Sequence, residues 1–326
     1  MSENPSIERV LVTGATGFVG KSVVRELLAR GYTPVCLVRS PEKLQRQHPE
    51  VNPERLIPVV GSLHDQSALR GAVRQAQAVI HLVGIIIERR LKGQTFVGVH
   101  LRGTQHVVDA AVKGGLKRFI HMAALGTRSD APSKYHRTKW AGEQAVRAAK
   151  LDWTIFRPSL IHGPEGEFMS LMKRFVCGLN PPVIPYFGNG EARLQPVFVK
   201  DVAHCFVDAL TRSETVGQLI PLGGPNAYSW KALYQTCRAL MPGAKSWKPM
   251  VSQPVPVAKA LAVLSAPLMA VGELIVPALG LLRFDRGQVD MSQEDSVCDH
   301  TLAERVFGIK MRNFETELAT YADQIS

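Results

Sequence analysis

Gly14, Gly17 and Gly20 interrupt the stretch RVLVTGATGFVG, just after a short apolar run. Residues 9–13 read as a buried strand, and Val19, Val23, Val24, Leu27 and Leu28 then recur at helical spacing. A strand that turns into a helix through glycines at this spacing has a definite use for each of them. The first permits the tight turn, the second lets the backbone approach a pyrophosphate, and the third lets the helix pack on the strand. The helix N-terminus offers free N–H groups and a positive dipole end to phosphate. The spacing therefore predicts a dinucleotide site at Gly14, Gly17 and Gly20.

The chain downstream keeps this alternation. TPVCLV and RLIPVV read as strands, residues 66–75 as a short helix, and AVIHLVGIII as a fourth strand. TFVGVHLRGTQHVVDAAVKGG reads as a helix ended by glycines, RFIHM as a fifth strand, residues 133–150 as a helix, and WTIFRP as a sixth strand stopped by proline. The expected fold is α/β: a Rossmann-type doubly wound parallel sheet with a smaller, mostly helical C-terminal region. The expected division is a dinucleotide-binding domain over 1–160, its sheet completed by parts of 190–225, and a substrate-, partner- or membrane-facing region over 161–326. Short helices are expected at 199–212 and 229–241. Residues 254–282 carry only Lys259 and Glu273 as charges, and Pro256, Pro267 and Pro277 are expected to break the run into short helices. That segment reads either as a lid over a substrate cleft or as a membrane-surface hairpin using Leu274, Ile275 and Leu279.

A net charge of +11 favours anionic partners: a phosphorylated cofactor, an anionic membrane or nucleic acid. No basic run is interleaved with aromatics, so no nucleic-acid partner is expected. Five scattered cysteines without a CxxC fit a reducing compartment and argue against a disulfide framework or a zinc site. His81, His121 and His162 sit near strand ends without metal-ligand spacing, so no metal is expected; His100 and His136 read as structural, and Asp201 as a helix cap or anchor. The polar start predicts no leader, and the charges scattered along the chain predict no spanning helix. The expected location is cytoplasmic, with peripheral contact at the inner face of a membrane.

Arg39 closes the second strand, where an NAD-specific enzyme usually carries an acid for the ribose 2′-hydroxyl. An arginine there, with Ser40 and Lys43 close by, suits a 2′-phosphate. NADP(H) is the preferred cofactor on this reading and NAD(H) the lesser one. YHRTK places Tyr135 and Lys139 four apart, on one face of a helix. A free phenol titrates near about 10, so acid–base work at neutral pH needs a neighbouring cation.

TGATGFVG, GSLHD at 61–65, VIHLVG at 79–84, YHRTK and FRPSLIHGP at 156–164 together resemble the atypical, extended-type short-chain dehydrogenase/reductases. RFIHMAALG, SKYHRTKWAGEQAV and FRPSLIHGPEGEF resemble, more narrowly, the nucleotide-binding accessory subunit of mitochondrial complex I and its bacterial relatives. The resemblance covers residues 8 to about 212 and is loose beyond. It implies that Thr16, Phe18 and Val19 lie along the pyrophosphate with the glycines. Ser62 and Leu63 would border the adenine, Leu82, Val83 and Gly84 would back the ribose, and Pro158, Ser159 and Leu160 would flank the nicotinamide. Tyr135 would exchange the substrate proton, while Lys139 binds the nicotinamide ribose and stabilises the phenolate.

The family's third member is a serine or threonine at the end of the fifth strand. FIHMAALGT carries Ala123 and Ala124 there, with Thr127 the nearest hydroxyl. Loss of such a donor costs about 10²–10³ in rate. Two functions stay open. One is a slow or specialised NADP(H)-dependent reductase on a small hydrophobic substrate, quinone- or isoprenoid-like. The other is a non-catalytic NADPH-holding accessory or assembly factor for a respiratory complex or for quinone biosynthesis. A nucleotide-sugar epimerase fits less well, because its chemistry also uses the missing hydroxyl and the C-terminal third is apolar.

Overall fold

The computed structural model describes residues 7–275 and 285–325. β1 (Arg9–Thr13) leads into α1 (Phe18–Ala29), followed by β2 (Thr33–Val38), α2 (Pro41–Gln47), β3 (Ile57–Val60), α3 (Gln66–Val73) and β4 (Ala78–His81). α4 (Thr104–Lys113), β5 (Arg118–Met122), α5 (Lys134–Arg147) and β6 (Asp152–Pro158) complete the first half. Then come β7 (Ile161–His162), α6 (Glu167–Cys177), β8 (Ile184–Phe187), β9 (Arg193–Leu194), β10 (Val197–Phe198), α7 (Val199–Asp208) and β11 (Gln218–Leu222). β12 (Tyr228–Ser229), α8 (Trp230–Leu240), β13 (Met250–Gln253), α9 (Val255–Ile275), α10 (Arg286–Met291), α11 (Thr301–Phe307) and α12 (Phe314–Tyr321) follow.

Seven strands form one parallel sheet in the order β11-β6-β5-β4-β1-β2-β3. This is the Rossmann-type doubly wound sheet, with a mostly helical C-terminal region. Side chains alternate across each strand. Val10, Val12, Ile80, Ile120 and Phe156 pack with Val23 and Leu27 of α1 and Phe206 of α7. Leu11, Val35, Val79, Phe119 and Ile155 face the other way, onto Leu69, Val107 and Val146 of α3, α4 and α5. The strand order reverses between β1 and β4, and in such sheets the crevice opens at the carboxyl ends of those two strands. Gly14 and the Leu82–Gly84 turn lie there.

Three local expectations differ from the structure. β4 ends at His81 and does not run on through Ile87: the Ile85 N–H goes to His100 Nε2 (3.1 Å) and Ile86 is exposed. The helix expected over 95–115 begins as a wider π-helical turn, Val97–Gly103, before α4. α5 presses on that turn so closely that a Cβ on Gly142 would sit 2.2 Å from the His100 carbonyl oxygen. α9 runs unbroken through Pro256 and Pro267. Pro256 lies in the first turn, where an N–H has no helical partner. Pro267 deprives only the Val263 carbonyl of a donor, and Val263 is exposed, where water can take the place of that donor. Pro277 and Leu279 lie outside the described residues, as do the side chains of Leu274 and Ile275. Among the described residues no helix is long and apolar enough to cross a membrane. Asp201 anchors rather than caps: it accepts from the Arg312 backbone N–H (2.9 Å) and pairs with its guanidinium (3.1 Å).

Candidate functional site

Gly14 adopts φ +81°, and a Cβ there would lie 3.3 Å from Leu82 and Val83 backbone atoms. A Cβ on Gly20 would lie 2.0 Å from the Gly14 carbonyl oxygen, so α1 can rest on this loop only through glycine. Gly17 begins α1 with no side-chain cap, which leaves first-turn N–H groups for an anion. Gln47 Nε2 donates to the Thr16 carbonyl (3.2 Å) and ties the loop to α2. The Phe18 side chain packs against Gly163 and Gly166, and Val19 enters the core, so these two offer a ligand their backbone rather than their side chains.

Arg39 follows β2, is exposed, and has no partner among the described residues. The Ser40 hydroxyl accepts from the Lys43 N–H (3.2 Å), capping α2, and donates to Glu42 Oε2 (2.7 Å). That bond holds the Glu42 carboxyl below its ordinary range. Lys43 is exposed. β3 lies beside β2, so Ser62 and Leu63 sit across from this cluster. Ser62 accepts from the His64 N–H (3.2 Å), and Leu63 is buried beneath Gly103.

Lys139 and Gly84 come together: a Cβ on Gly84 would be 3.6 Å from Lys139 Nζ and 3.7 Å from His100 Nε2. Lys139 is 3% exposed and donates to the Met122 carbonyl (2.5 Å). An ammonium has three protons, so this buried group retains donors for a ribose, and the site fits a dinucleotide there. Burial pulls its pKa down to about 8 against the opposing charge of Glu143. Glu143 is itself buried and grips Arg157 of β6 in two bonds (2.9 and 2.8 Å), which braces α5 against the sheet. The Tyr135 ring meets His100 (5.3 Å), Phe96 (5.9 Å) and His136 (5.2 Å) edge-on. Its hydroxyl has no hydrogen bond among the described residues, and burial pushes the phenol up to about 12. Tyr135 and Lys139 thus share a helix, but the lysine serves Met122 and does not lower the phenol.

A polar network lies beneath this pair. The Thr104 hydroxyl donates to the His100 carbonyl (2.7 Å), so it can only accept from His81 Nε2 (3.0 Å), and His81 Nδ1 then accepts from the Thr13 hydroxyl (2.6 Å). His100 Nε2 accepts from the Ile85 N–H, so Nδ1 donates to Thr138 (2.9 Å). His100 thereby holds the turn after β4 in place. His121 stacks on His81 at 5.4 Å, and neither of its ring nitrogens has a partner. Burial first, and then Lys139, lowers all three: His81 to about 3, His100 to about 2, and His121 well below its ordinary value.

Depressed histidines make the unfolded chain the better proton binder below about pH 6.5, so stability falls as pH drops from there toward about 3. The loss is about 1.4 kcal/mol per pH unit for each histidine. Thermal melts are expected to show Tm falling between pH 7 and pH 5. His121→Leu should raise Tm more at pH 5 than at pH 7. A wild-type Tm independent of pH over that range would contradict this account.

At the other end of the cleft, Pro158 is buried, Leu160 partly so, and the Ser159 hydroxyl donates to the Ser296 carbonyl (2.7 Å). Gln195, also buried, holds the Cys298 N–H (2.7 Å) and the Gly224 carbonyl (2.6 Å). Glu294 pairs with Arg128 and stands 4.0 Å from His136 Nδ1. The segment 293–298 therefore straps the end of β6 to the N-terminal part of α5. Sequence reasoning missed Glu294, Ser296 and Gln195, for no local pattern marks them. Ala123 is buried at the end of β5, and the Thr127 hydroxyl is buried without a partner.

A family model described as the NAD dependent epimerase/dehydratase family matches residues 10–223. The chain is 30% identical over 254 residues to NADH dehydrogenase (ubiquinone) 1 alpha subcomplex subunit 9, mitochondrial, of Arabidopsis thaliana, covering 77% of this chain and 61% of that protein. It is 34% identical over 239 residues to the ceramide reductase of Caulobacter vibrioides, covering 72% of this chain and 71% of that one. The chain thus spans less than two thirds of the Arabidopsis relative's length. Among solved structures, MoeE5 in complex with UDP-glucose and NAD superposes with TM-score 0.70 at 20% identity, over 97% of this chain and 98% of that one. This last is a likeness of fold.

Proposed function

The chain belongs to the NAD dependent epimerase/dehydratase family, and from that premise we propose that it is an NADP(H)-binding reductase acting on a hydrophobic, quinone- or isoprenoid-like substrate. The observation that carries the reading is the unpartnered hydroxyl of half-buried Tyr135, set one helical turn from buried Lys139 under an aliphatic lip. Glu88 pins that lip to α5 through Lys134 (3.1 Å), and Ile86 and Leu91 stand exposed on it. α10 lies against the α5 N-terminus, where a Cβ on Gly287 would be 3.9 Å from the Ser133 Cβ. The Lys259–Asp290 ion pair ties α9 to α10, so the exposed Val257, Leu261 and Leu264 of α9 belong to the same side. Aliphatic surface at a cleft mouth suits an apolar substrate or the edge of a membrane.

Lys139 would hold the nicotinamide ribose, the first turn of α1 the pyrophosphate, and Arg39 the 2′-phosphate. A bound NADPH supplies hydride; Tyr135 would supply the proton. The names of two relatives support a redox role beside hydrophobic chemistry: a ceramide reductase, and an NADH dehydrogenase subunit. Ala123 and Ala124 favour a second reading, in which the protein holds NADPH as an accessory or assembly factor for a respiratory complex or quinone biosynthesis. NADPH oxidation with a panel of hydrophobic quinones and aldehydes separates the two. Substrate-dependent oxidation supports the reductase; tight NADPH binding with no oxidation by any of them supports the holder.

A further inference from the structure

Lys21 stands four residues after Gly17 on α1, on the helix face above that glycine. Helical side chains lean toward the N-terminus of their helix, so its stem leans back toward the glycine loop. Its ammonium meets both carboxylate oxygens of Glu165 at 2.6 Å, and its side chain is only 15% exposed. The partner is well held, because Phe18 packs on Gly163 and Gly166, which bracket it in sequence. A cation at the end of the first turn faces the positive end of the helix dipole and needs an anion nearby. Glu165 supplies that anion from 144 residues away.

We propose that Lys21 is a charged contact for the cofactor pyrophosphate and that Glu165 competes with the cofactor for it. This inference rests on the dinucleotide-binding reading above. The carboxylate and the pyrophosphate compete for one ammonium, so the cofactor displaces Glu165 on binding. The contact differs in kind from Arg39, because the pyrophosphate is common to NADPH and NADH whereas only NADPH has the 2′-phosphate.

The test is a fluorescence titration of NADPH and NADH at one fixed ionic strength. Lys21→Met is expected to weaken both cofactors about tenfold and to leave their ratio unchanged. Lys21→Arg should keep most of the affinity. Glu165→Gln, which frees the ammonium, is expected to tighten both about threefold. A bridge with only a structural role predicts the same sign for Lys21→Met and Glu165→Gln, since each breaks the same pair. Like-signed shifts would overturn the inference and leave the dinucleotide reading intact. A wild-type protein that binds neither cofactor would overturn that reading, and the inference with it.

Discussion

Tyr135→Phe is expected to lower NADPH-driven turnover about 10²-fold or more while leaving the affinity for NADPH within about twofold. Its ring lies among those of Phe96, His100 and His136 and its hydroxyl has no partner among the described residues, so its removal leaves no buried group unsatisfied and the fold should be unchanged. The phenol is pushed up to about 12 by burial, which keeps it protonated and suits it to donate rather than to accept. Donation during reduction leaves a phenolate, and the buried cation one helical turn away on the same face is Lys139. Burial holds that ammonium down to about 8, so the rate should fall as pH rises through about 8 and the lysine loses its charge. Turnover of the wild type is expected to be slow, because Ala123 and Ala124 provide no hydroxyl to hold a carbonyl. Ala123→Ser or Ala124→Ser should raise it, recovering part of the factor of about 10²–10³ that such a donor supplies. An activity unchanged in Tyr135→Phe would remove the tyrosine from the chemistry.

Arg39→Ala is expected to weaken NADPH about 10- to 100-fold and to leave NADH unchanged, since a hydrogen bond to a charged group contributes about 1.5–3 kcal/mol. The guanidinium is exposed and has no partner among the described residues, so no ion pair must break before it meets a phosphate. Glu42 would work against the same phosphate. Its carboxylate accepts from the Ser40 hydroxyl at 2.7 Å, next to the arginine. Glu42→Gln should therefore tighten NADPH, by less than the arginine contributes, and the α2 cap would survive because Ser40 still accepts from Lys43. Titration of both cofactors against wild type and the two variants checks this. Equal affinity of the wild type for NADPH and NADH would contradict it.

Much of the fold was legible because its signals are local. The glycines between β1 and α1 carry a strand, a turn and a helix start within twelve residues, and β2 falls on the predicted Thr33–Val38. β4 was over-extended because Leu82–Ile87 is apolar like a strand, while its backbone is claimed by His100 on a helical turn. Pro267 misled because proline's cost depends on whether the freed carbonyl sees water, which sequence does not show. The geometry of the candidate site was legible where one motif holds the residues, as for the Gly14 turn and for Tyr135 and Lys139 on one helix. It was illegible where partners are remote. Ser159 and Ser296 lie 137 residues apart, and Arg128 and Glu294 lie 166 apart. No periodicity links such pairs, which meet only because the 293–298 segment crosses the cleft.

NADP(H) is expected to bind in preference to NAD(H) at the carboxyl ends of β1 and β4. Purified protein is exposed to an equimolar mixture of the two, freed of unbound nucleotide by gel filtration, and denatured, and the released nucleotide is identified by mass. NADP(H) in about tenfold excess or more is the predicted result. Release of NAD(H) in equal or greater amount, or of neither dinucleotide from folded protein, would contradict it.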